Sequence, residues 1–468
     1  MSDDLALMSA SELIRRFRDG GLSPVEATRA ALDRIEAHNA RLNAYNLIDA
    51  DGALEAARAS EERWRLGAPR GRLDGVPTAI KDIVLTKGWP TLRGSKATVP
   101  DQPWDEDAPC VARLREHGAV LLGKTTTPEF GWKGVTDSAL CGITRNPWNP
   151  ERTPGGSSGG SAVAVACGMG ALAIGTDGGG SIRIPAAFTG VFGHKPTFGR
   201  VPAFPASPFG TLAHIGPMTR TVTDAALMLG VLCEPDARDW YALPPEGTGK
   251  ALDYTHGLER GVEGLKIAFS PTLGGHPVDP EIAALVAAAA RRFEALGAHV
   301  EEADPGLPDC AEPFRIHWYA GAANLLAGFS AEQVALMEPG LREIAAEGAR
   351  LSALEYLRAV KGREAIGLAM NRFHETYDLL LTPTLPIAAF EAGLERPRDS
   401  DQERWVDWTP FSYPFNLTRQ PAASVPCGLT SDGLPAGLQI VGPLYADTLV
   451  LRAARAFETA APFEMPRV

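Results

Sequence analysis

Two glycine-serine clusters, joined by an apolar segment, occupy residues 153–197. The first reads PGGSSGGS around Ser157, and the second reads GTDGGGS and ends at Ser181. Glycine loses more backbone freedom on folding than any other residue. Two such clusters therefore indicate places where the backbone approaches another group closely or adopts torsions closed to other residues. The second cluster places consecutive backbone N–H groups before a serine, which is the arrangement that an oxyanion hole requires.

A lysine inside an apolar run supplies a further chemical group. Lys81 lies in the sequence AIKDI, which reads as an apolar strand. Burial lowers the pKa of a lysine because desolvation penalises the charged form. Alone, a glycine-serine run is typical of a flexible loop and a strand lysine of a sheet edge. Together, two serines and a desolvated lysine favour serine chemistry that needs no histidine.

These segments resemble the amidase signature family. The likeness covers AIKDI, PGGSSGGS and GTDGGGSIRIPAAFTGVFGHKPT, continues through HIGPMTRTVTDAALML and returns in ASVPCGLTSDGLPAGLQIVGP. The 24 positions between Ser157 and Ser181 fit that family's separation between its two catalytic serines. The resemblance covers most of the chain and implies an amidase, an enzyme that hydrolyses the C–N bond of linear carboxylic amides.

The resemblance also implies a role for each residue of the motif. Ser181 is the expected nucleophile, and Ser157 is expected to bridge it to Lys81, which acts as a neutral base. The peptide bond before Ser157 is cis in the family. The backbone N–H groups of the nucleophile and of the three residues before it are expected to form the oxyanion hole, namely Gly178, Gly179, Gly180 and Ser181.

Other residues near the motif have structural interpretations as well. Asp177 and Arg183 flank the nucleophile, and we expect them to orient the loop. Ser158 and Thr176 are able to hydrogen-bond within the same site, but a structural role is equally consistent with the sequence. His194 stands where relatives usually carry an apolar residue, and we interpret it as a local packing variation.

Three rival motifs do not survive inspection. GSSGG satisfies G-x-S-x-G with Ser158 as nucleophile, but that elbow must follow a strand, and the preceding NPWNPERTP is broken by prolines. Residues 168–173 fit a loose dinucleotide fingerprint but lack the acidic residue about 20 positions later. Neither cluster is followed by Lys-Ser or Lys-Thr, as a phosphate loop requires. We therefore expect no cofactor and, from the spacing of the nine histidines, no metal.

The pattern of apolar segments predicts an α/β fold in a single large domain, residues 1–468. Residues 1–66 read as an N-terminal helical segment, 70–235 as the signature core and 262–468 as the remainder of the same domain. Short apolar runs alternating with helices predict a mixed, mostly parallel β-sheet covered by helices on both faces. A buried strand at 171–176 delivers the second glycine cluster at its C-terminal end, where ligands of open α/β sheets bind.

Further elements follow the same reasoning. Helix starts are expected at Ser9 and Ser23, and residues 279–296 and 311–377 read as helical. LLLTPT predicts a strand, SVPCGLTSDGLPAGLQIVG a hairpin and residues 391–403 a loop. The polar stretch 238–261 reads as a surface loop and not as a domain boundary.

Composition excludes several classes of partner. The net charge of −12, without a basic patch, argues against nucleic acid. Six widely spaced cysteines predict neither a disulfide framework nor a zinc site and fit a reducing cytoplasm. The sequence shows no signal peptide and no membrane helix. We expect a cytoplasmic enzyme with a small-molecule amide substrate, and a homodimer is one option for its assembly.

The nature of the amide is less constrained. GRVPAFPASPFGTLAHIGP is apolar, and four aromatic residues either line an acyl or aryl pocket or belong to the core: Phe204, Phe209, Trp132 and Trp318. We favour a stand-alone amidase acting on a small apolar or aryl amide, with anilides and carbamates included.

The alternative is the glutamine-hydrolysing subunit of the tRNA-dependent amidotransferase. The position matching its glutamine-holding acidic residue falls at or near Thr409, although Asp407 is only two residues away. A non-catalytic binding module is disfavoured by the intact Lys81, Ser157 and Ser181.

Overall fold

One eleven-stranded β-sheet takes strands from both ends of the chain. The computed structural model describes residues 4–244 and 252–467. Its strands are β1 (Tyr45–Ile48), β2 (Pro77–Lys81), β3 (Val120–Thr125), β4 (Asp137–Ser138), β5 (Gly142–Ile143), β6 (Leu172–Asp177), β7 (Phe192–Lys195), β8 (His214–Thr219), β9 (Lys266–Phe269), β10 (His299–Glu302), β11 (Leu379–Pro383), β12 (Ala422–Leu429) and β13 (Pro435–Val441). The strand order in the large sheet is β1-β3-β2-β6-β8-β7-β12-β13-β11-β9-β10, and β4 and β5 form a separate ribbon.

Fourteen α-helices lie in the described part of the chain. They are α1 (Ala10–Arg18), α2 (Pro24–Leu42), α3 (Ala50–Arg65), α4 (Pro109–Glu116), α5 (Gly159–Ala166), α6 (Arg183–Thr189), α7 (Val222–Leu232), α8 (Pro280–Ala295), α9 (Ala311–Leu326), α10 (Ala331–Ala335), α11 (Pro339–Gly348), α12 (Ala353–Phe373), α13 (Pro414–Leu417) and α14 (Asp447–Ala460). The α/β class is therefore confirmed.

The sheet is mixed, as predicted, but it is not mostly parallel. Among the described strands of the large sheet, four neighbouring pairs are parallel and six are antiparallel. The connection from β12 to β13 is too short for a parallel crossover, which needs a dozen or more residues. The hairpin is recognisable in the sequence, but the sequence does not show how many strand pairs of the whole sheet are antiparallel.

Helices cover both faces of the sheet, as predicted. Successive side chains of a strand point to opposite faces. Ile80 belongs to a core cluster that includes residues of α4, α7, α8 and α14, whereas its neighbour Ala79 belongs to a cluster that includes residues of α2, α3 and α5. The two apolar layers therefore lie on opposite sides of β2.

The described part of the N-terminal segment, residues 4–66, contains helices and one strand. Ser23 and Glu26 form a complete capping box and Pro24 occupies the first turn of α2, as the sequence predicts. The α2 helix ends at Leu42 and is capped by Asn43, whose φ of 53° is left-handed. The chain then enters β1, which pairs with β3 at the edge of the sheet and was not predicted.

The later predictions agree with the structure. The buried strand predicted at 171–176 is β6, the helix at 279–296 is α8, and the region 311–377 contains α9 to α12. Of the predicted surface loop 238–261, residues 245–251 lie outside the described residues. In the part of the chain that the structure describes, no helix is both long and apolar enough to cross a bilayer. The six cysteines are free thiols.

Candidate active site

Lys81 lies at the C-terminal end of β2 and is completely buried. Its Nζ lies within hydrogen-bond distance of three hydroxyl oxygens: Ser157 Oγ at 2.7 Å, Ser158 Oγ at 2.8 Å and Thr176 Oγ1 at 2.8 Å. The geometry follows from the sheet, because β2 and β6 are parallel neighbours. The carboxyl ends of such strands meet at one edge, which brings Lys81 beside Thr176.

Burial shifts the protonation equilibrium of this lysine toward the neutral amine. Desolvation holds the pKa of the Lys81 ammonium well below its ordinary value of 10.5, and the charge of Asp177 opposes the shift. The hydrogen-bond partners of Nζ are neutral hydroxyls. A neutral amine surrounded by hydroxyls is able to accept a proton from one of them.

Ser157 occupies a backbone turn that tolerates little side-chain volume. The peptide bond between Gly156 and Ser157 is cis, as the family resemblance implies. A Cβ added at Gly156 would lie 2.5 Å from the backbone of Val135. Gly131 has a left-handed φ of 71°, and a Cβ there would lie 3.2 Å from Ser157 Oγ. These glycines are needed because the chain packs this closely around the hydroxyl.

Ser181 and Ser157 line the same cavity and are both buried. The two glycine clusters are joined by a bond from the Ser158 N–H to the Ser181 carbonyl oxygen, at 3.1 Å. The predicted contact between Ser157 and Lys81 is present. Within the described residues, however, the hydroxyls of Ser157 and Ser181 do not form a hydrogen bond, so only the lysine half of the predicted bridge is present.

The glycine loop before Ser181 differs from the prediction at one position. The Gly180 N–H donates to Asp177 Oδ1 at 2.7 Å. That donor is already engaged, so Gly180 leaves the predicted set of oxyanion donors. Within the described residues, the N–H groups of Gly178, Gly179 and Ser181 donate to no protein acceptor and remain available.

Asp177 and Arg183 form a buried ion pair that supports this loop, with 3.0 Å between Arg183 Nη2 and Asp177 Oδ1. Burial alone would raise the pKa of the Asp177 carboxyl, but the charge and hydrogen bonds of Arg183 hold it well below its usual range. Asp177 Oδ2 also accepts the Ile182 N–H at 3.1 Å. These contacts give the pair the loop-orienting position that we expected from the sequence.

A cavity of about 660 Å³ opens over the serines and the glycine loop. Phe204, Phe209 and Trp318 line it, and the last two rings stack with their centroids 3.9 Å apart. Trp132 is not among the lining residues. It is buried in the core, where its Nε1 donates to Glu338 at 2.8 Å. Of the two alternatives left open by the sequence, Trp132 therefore belongs to the core alone, whereas Phe204, Phe209 and Trp318 line the cavity.

The two positions relevant to the glutamine-hydrolysing alternative do not line the cavity. Thr409 is completely buried, and its hydroxyl donates to the carbonyl of Val406. Asp407 accepts the N–H groups of Glu403 and Arg404, so its carboxylate serves a local turn.

The structure adds residues that sequence reasoning missed. Arg93, Phe130 and His214 all line the cavity. His214 opens β8 directly opposite Asp177, and burial holds the pKa of its imidazole well below 6.5. The one sequence signal that could have placed His214 in the site is its position at the start of the apolar run HIGPM. The other histidine of the motif region, His194, is buried and contacts Asp447 at 3.2 Å.

Comparison with known proteins identifies the family. The model of the amidase family matches residues 26–451. The chain belongs to the amidase signature family.

Two relatives of this amidase signature chain have different names. An acylamidase from Rhodococcus erythropolis is 38% identical, across 98% of this chain and 97% of the relative. One component of the glutamyl-tRNA(Gln) amidotransferase from Myxococcus xanthus (strain DK1622) is 39% identical, across 96% of each chain. The crystal structure of a bacterial aryl acylamidase of the amidase signature family has a TM-score of 0.90 and 35% identity, and covers 97% of this chain and 96% of its own.

In the described part of the chain, no group of three or more His, Cys, Asp and Glu side chains is arranged to hold a metal ion.

Proposed function

We propose that this amidase signature protein is a stand-alone amidase that hydrolyses small apolar or aryl amides, including anilides and carbamates, through an acyl-enzyme on Ser181. The observation that carries the proposal is the buried Lys81, whose Nζ lies 2.7 Å from Ser157 Oγ, beside the cavity that also contains Ser181. Such an arrangement supplies a base, a proton relay and a nucleophile without histidine.

The reaction begins with Ser181 Oγ attacking the amide carbonyl carbon while its proton passes through Ser157 to neutral Lys81. The N–H groups of Gly178, Gly179 and Ser181 stabilise the developing oxyanion, since they have no acceptor among the described residues. The proton returns through Ser157 to the leaving nitrogen, the C–N bond breaks and the amine departs. Water then attacks the acyl-enzyme and passes a proton through Ser157 to Lys81; the bond from carbon to Oγ breaks, the proton returns through Ser157 to Ser181 Oγ, and the acid is released.

The walls of the cavity support the substrate class. Phe209 and Trp318 offer a stacked apolar surface, which suits an acyl chain or an aryl ring. Trp318 also packs against the oxyanion loop, because a Cβ added at Gly178 would lie 2.9 Å from its ring. Among its relatives, the acylamidase and the aryl acylamidase carry names that agree with this choice.

The second candidate is the glutamine-hydrolysing component of a tRNA-dependent amidotransferase. The 39% identity to the Myxococcus xanthus protein favours it as much as sequence identity alone favours the acylamidase. Against it stand the local roles of Asp407 and Thr409, neither of which lines the cavity.

A substrate panel on the purified single chain separates the candidates. Anilides, aryl carbamates, aliphatic amides and glutamine are assayed by release of arylamine or ammonia, with Ser181→Ala as the control. Faster turnover of anilides than of glutamine is the expected result, and activity is expected to survive chelation by EDTA. A preference for glutamine would favour the amidotransferase component. Failure of a fluorophosphonate to label the chain would favour a binding module.

A further inference from the structure

Two non-glycine residues with left-handed backbones meet at the wall of the cavity. Arg93 has a φ of 56° and Phe130 a φ of 50°, and the Phe130 N–H donates to the Arg93 carbonyl at 2.7 Å. L-residues adopt this conformation rarely, and such residues cluster at functional sites where surrounding contacts hold them in place. Gly131 follows Phe130 directly and approaches Ser157 Oγ closely. A single backbone hydrogen bond therefore connects Arg93 to the segment of Phe130 and Gly131, which packs against Ser157.

The guanidinium group of Arg93 has few partners in the protein. The side chain lines the cavity and is partly buried. Within the described residues, its one hydrogen bond runs from Nη1 to the carbonyl of Thr91 at 3.5 Å. An arginine carries five N–H donors in a planar fork, so most of these donors remain available. Burial lowers the pKa of the Arg93 guanidinium, with the charge of Asp82 opposing, but the group stays protonated at neutral pH.

The acidic residues nearby are already paired with other groups. Asp82 lies 3.5 Å from the ammonium of Lys124, and Asp177 is paired with Arg183. Asp239, on another part of the cavity wall, accepts the backbone N–H groups of Ala203 and Tyr241. Among the described residues, none of these three carboxylates forms an ion pair with Arg93 within 4 Å. The charge of Asp82 acts on Arg93 from a longer distance, but most N–H donors of the guanidinium remain available to a ligand in the cavity.

The surface between this charge and the serines is apolar. Phe130 and Phe329 both line the cavity and meet edge to face with centroids 5.4 Å apart. An apolar wall with a single charged fork at one side is suited to a ligand that has an apolar body and one anionic group. A carboxylate matches the planar fork of arginine with two parallel hydrogen bonds.

We propose that Arg93 binds a carboxylate of the substrate, so that the amides this site prefers have an apolar or aryl body and a carboxylate outside the scissile group. This inference rests on the proposed amidase function and specifies its substrate class. Arg93 is a specificity residue here and takes no part in proton transfer.

Matched substrate pairs test the proposal on both sides of the scissile bond. The first pair is 4-acetamidobenzoate and acetanilide, which differ by a carboxylate on the leaving amine. The second pair is glutaric acid monoanilide and valeranilide, which differ by a carboxylate on the acyl chain. We expect kcat/KM to be about tenfold or more higher for the carboxylate member of at least one pair, because charge-assisted hydrogen bonds are strong ones.

Three variants identify the residue responsible. Arg93→Gln is expected to bring the ratio of kcat/KM within the preferred pair down toward one, mainly through KM. Arg93→Lys is expected to retain part of the ratio, since it keeps the charge but loses the fork. Lys96→Gln removes an exposed charge from the same segment and is the control, with an unchanged ratio.

Inhibition of the unmodified enzyme provides a measurement that does not depend on the folding of a variant. Benzoate and glutarate are expected to compete with the neutral anilide more strongly than benzamide and glutaramide. The inference is overturned if neither substrate pair favours its carboxylate member, or if Arg93→Gln retains the preference. Failure of the proposed function gives a different result: no anilide is hydrolysed, and a fluorophosphonate does not label Ser181.

Discussion

Asp177 Oδ1 accepts the backbone N–H of Gly180 at 2.7 Å, directly before the proposed nucleophile Ser181. The same carboxylate is paired with Arg183, and both side chains are completely buried. The turn that presents Ser181 therefore depends on a charge that the solvent does not reach. This arrangement leads to the first prediction.

Asp177→Asn is expected to destabilise the protein strongly. The substitution leaves the Arg183 guanidinium buried without a counter-ion, and breaking a buried pair in this way costs about 3–5 kcal/mol. Denaturant unfolding measures the loss, and the rate of fluorophosphonate labelling measures the damage to the turn. Asp224→Asn is the control, because Asp224 is also buried but caps the start of α1. A stable Asp177→Asn protein with normal labelling would contradict the proposed support of the loop.

The two serines are expected to differ in importance. Ser181→Ala removes the nucleophile and should abolish nearly all turnover, together with fluorophosphonate labelling. Ser157→Ala removes the proton relay, for which positioned acid-base groups contribute about 10²–10⁴-fold, and water is able to replace part of it. Peptide mapping by mass spectrometry locates the label. A label on Ser158 would show that the nucleophile was assigned wrongly.

Activity is expected to decrease as the pH falls through the pKa of Lys81. Burial lowers this pKa below 10.5, and only the neutral amine accepts a proton. Linkage has the same sign for stability. The unfolded chain binds a proton that the folded chain releases, so below pH 10.5 the contribution of Lys81 to the free energy of unfolding falls with decreasing pH until the folded-state pKa is reached.

The same argument predicts the effect of replacing the lysine. Lys81→Arg keeps a positive charge but is unable to give up its proton, so it should be nearly as inactive as Lys81→Ala. Lys87→Arg, at an exposed position, is the control and should keep the parent's pH profile. The profile of kcat/KM against pH is the measurement. Substantial activity of Lys81→Arg would eliminate the proton-relay mechanism.

Gly179→Ala is expected to disturb the oxyanion loop through its aromatic neighbours. The new methyl group would lie 2.7 Å from the ring of Phe314 and 2.8 Å from that of Trp405. We expect a loss of about 10²–10³ in kcat, the usual effect of losing one oxyanion donor. The double variant Gly179→Ala/Phe314→Leu should recover part of the rate. Gly367→Ala, where the added methyl meets no neighbour within 4 Å, serves as the control.

Local sequence predicted the residues that carry the proposed chemistry. Lys81 and the two glycine clusters each lie in a short segment whose residue types restrict the structural and chemical roles that it can have. The strand β6 is recognisable from its apolar run. The sequence does not show in the same way that the Gly180 N–H is occupied, because its acceptor is the side chain of Asp177, which folds back over the loop. Only the structure shows this hydrogen bond.

Long-range contacts explain the other differences. The four residues of β1 form a strand because β3, about 75 positions later, offers an edge to pair with. The left-handed backbones of Arg93 and Phe130 leave no sign in the sequence, because a glycine does not mark either position. Residue type alone suggests a place for Trp132 in the pocket, and the contact of its indole with Glu338 decides otherwise.

The hydrogen bonds of Arg183 determine how the molecule can be divided. Its guanidinium donates to Ser412, Asn416 and Gln439, which lie at least 229 positions downstream. A fragment that ended before residue 262 would keep Lys81, both serines and every glycine of the loop. It would keep Asp177 but lose the three downstream acceptors that complete the hydrogen bonding of the buried Arg183 guanidinium. The signature segment is therefore not a portable module, and grafting or splitting it would sacrifice the catalytic apparatus together with the fold.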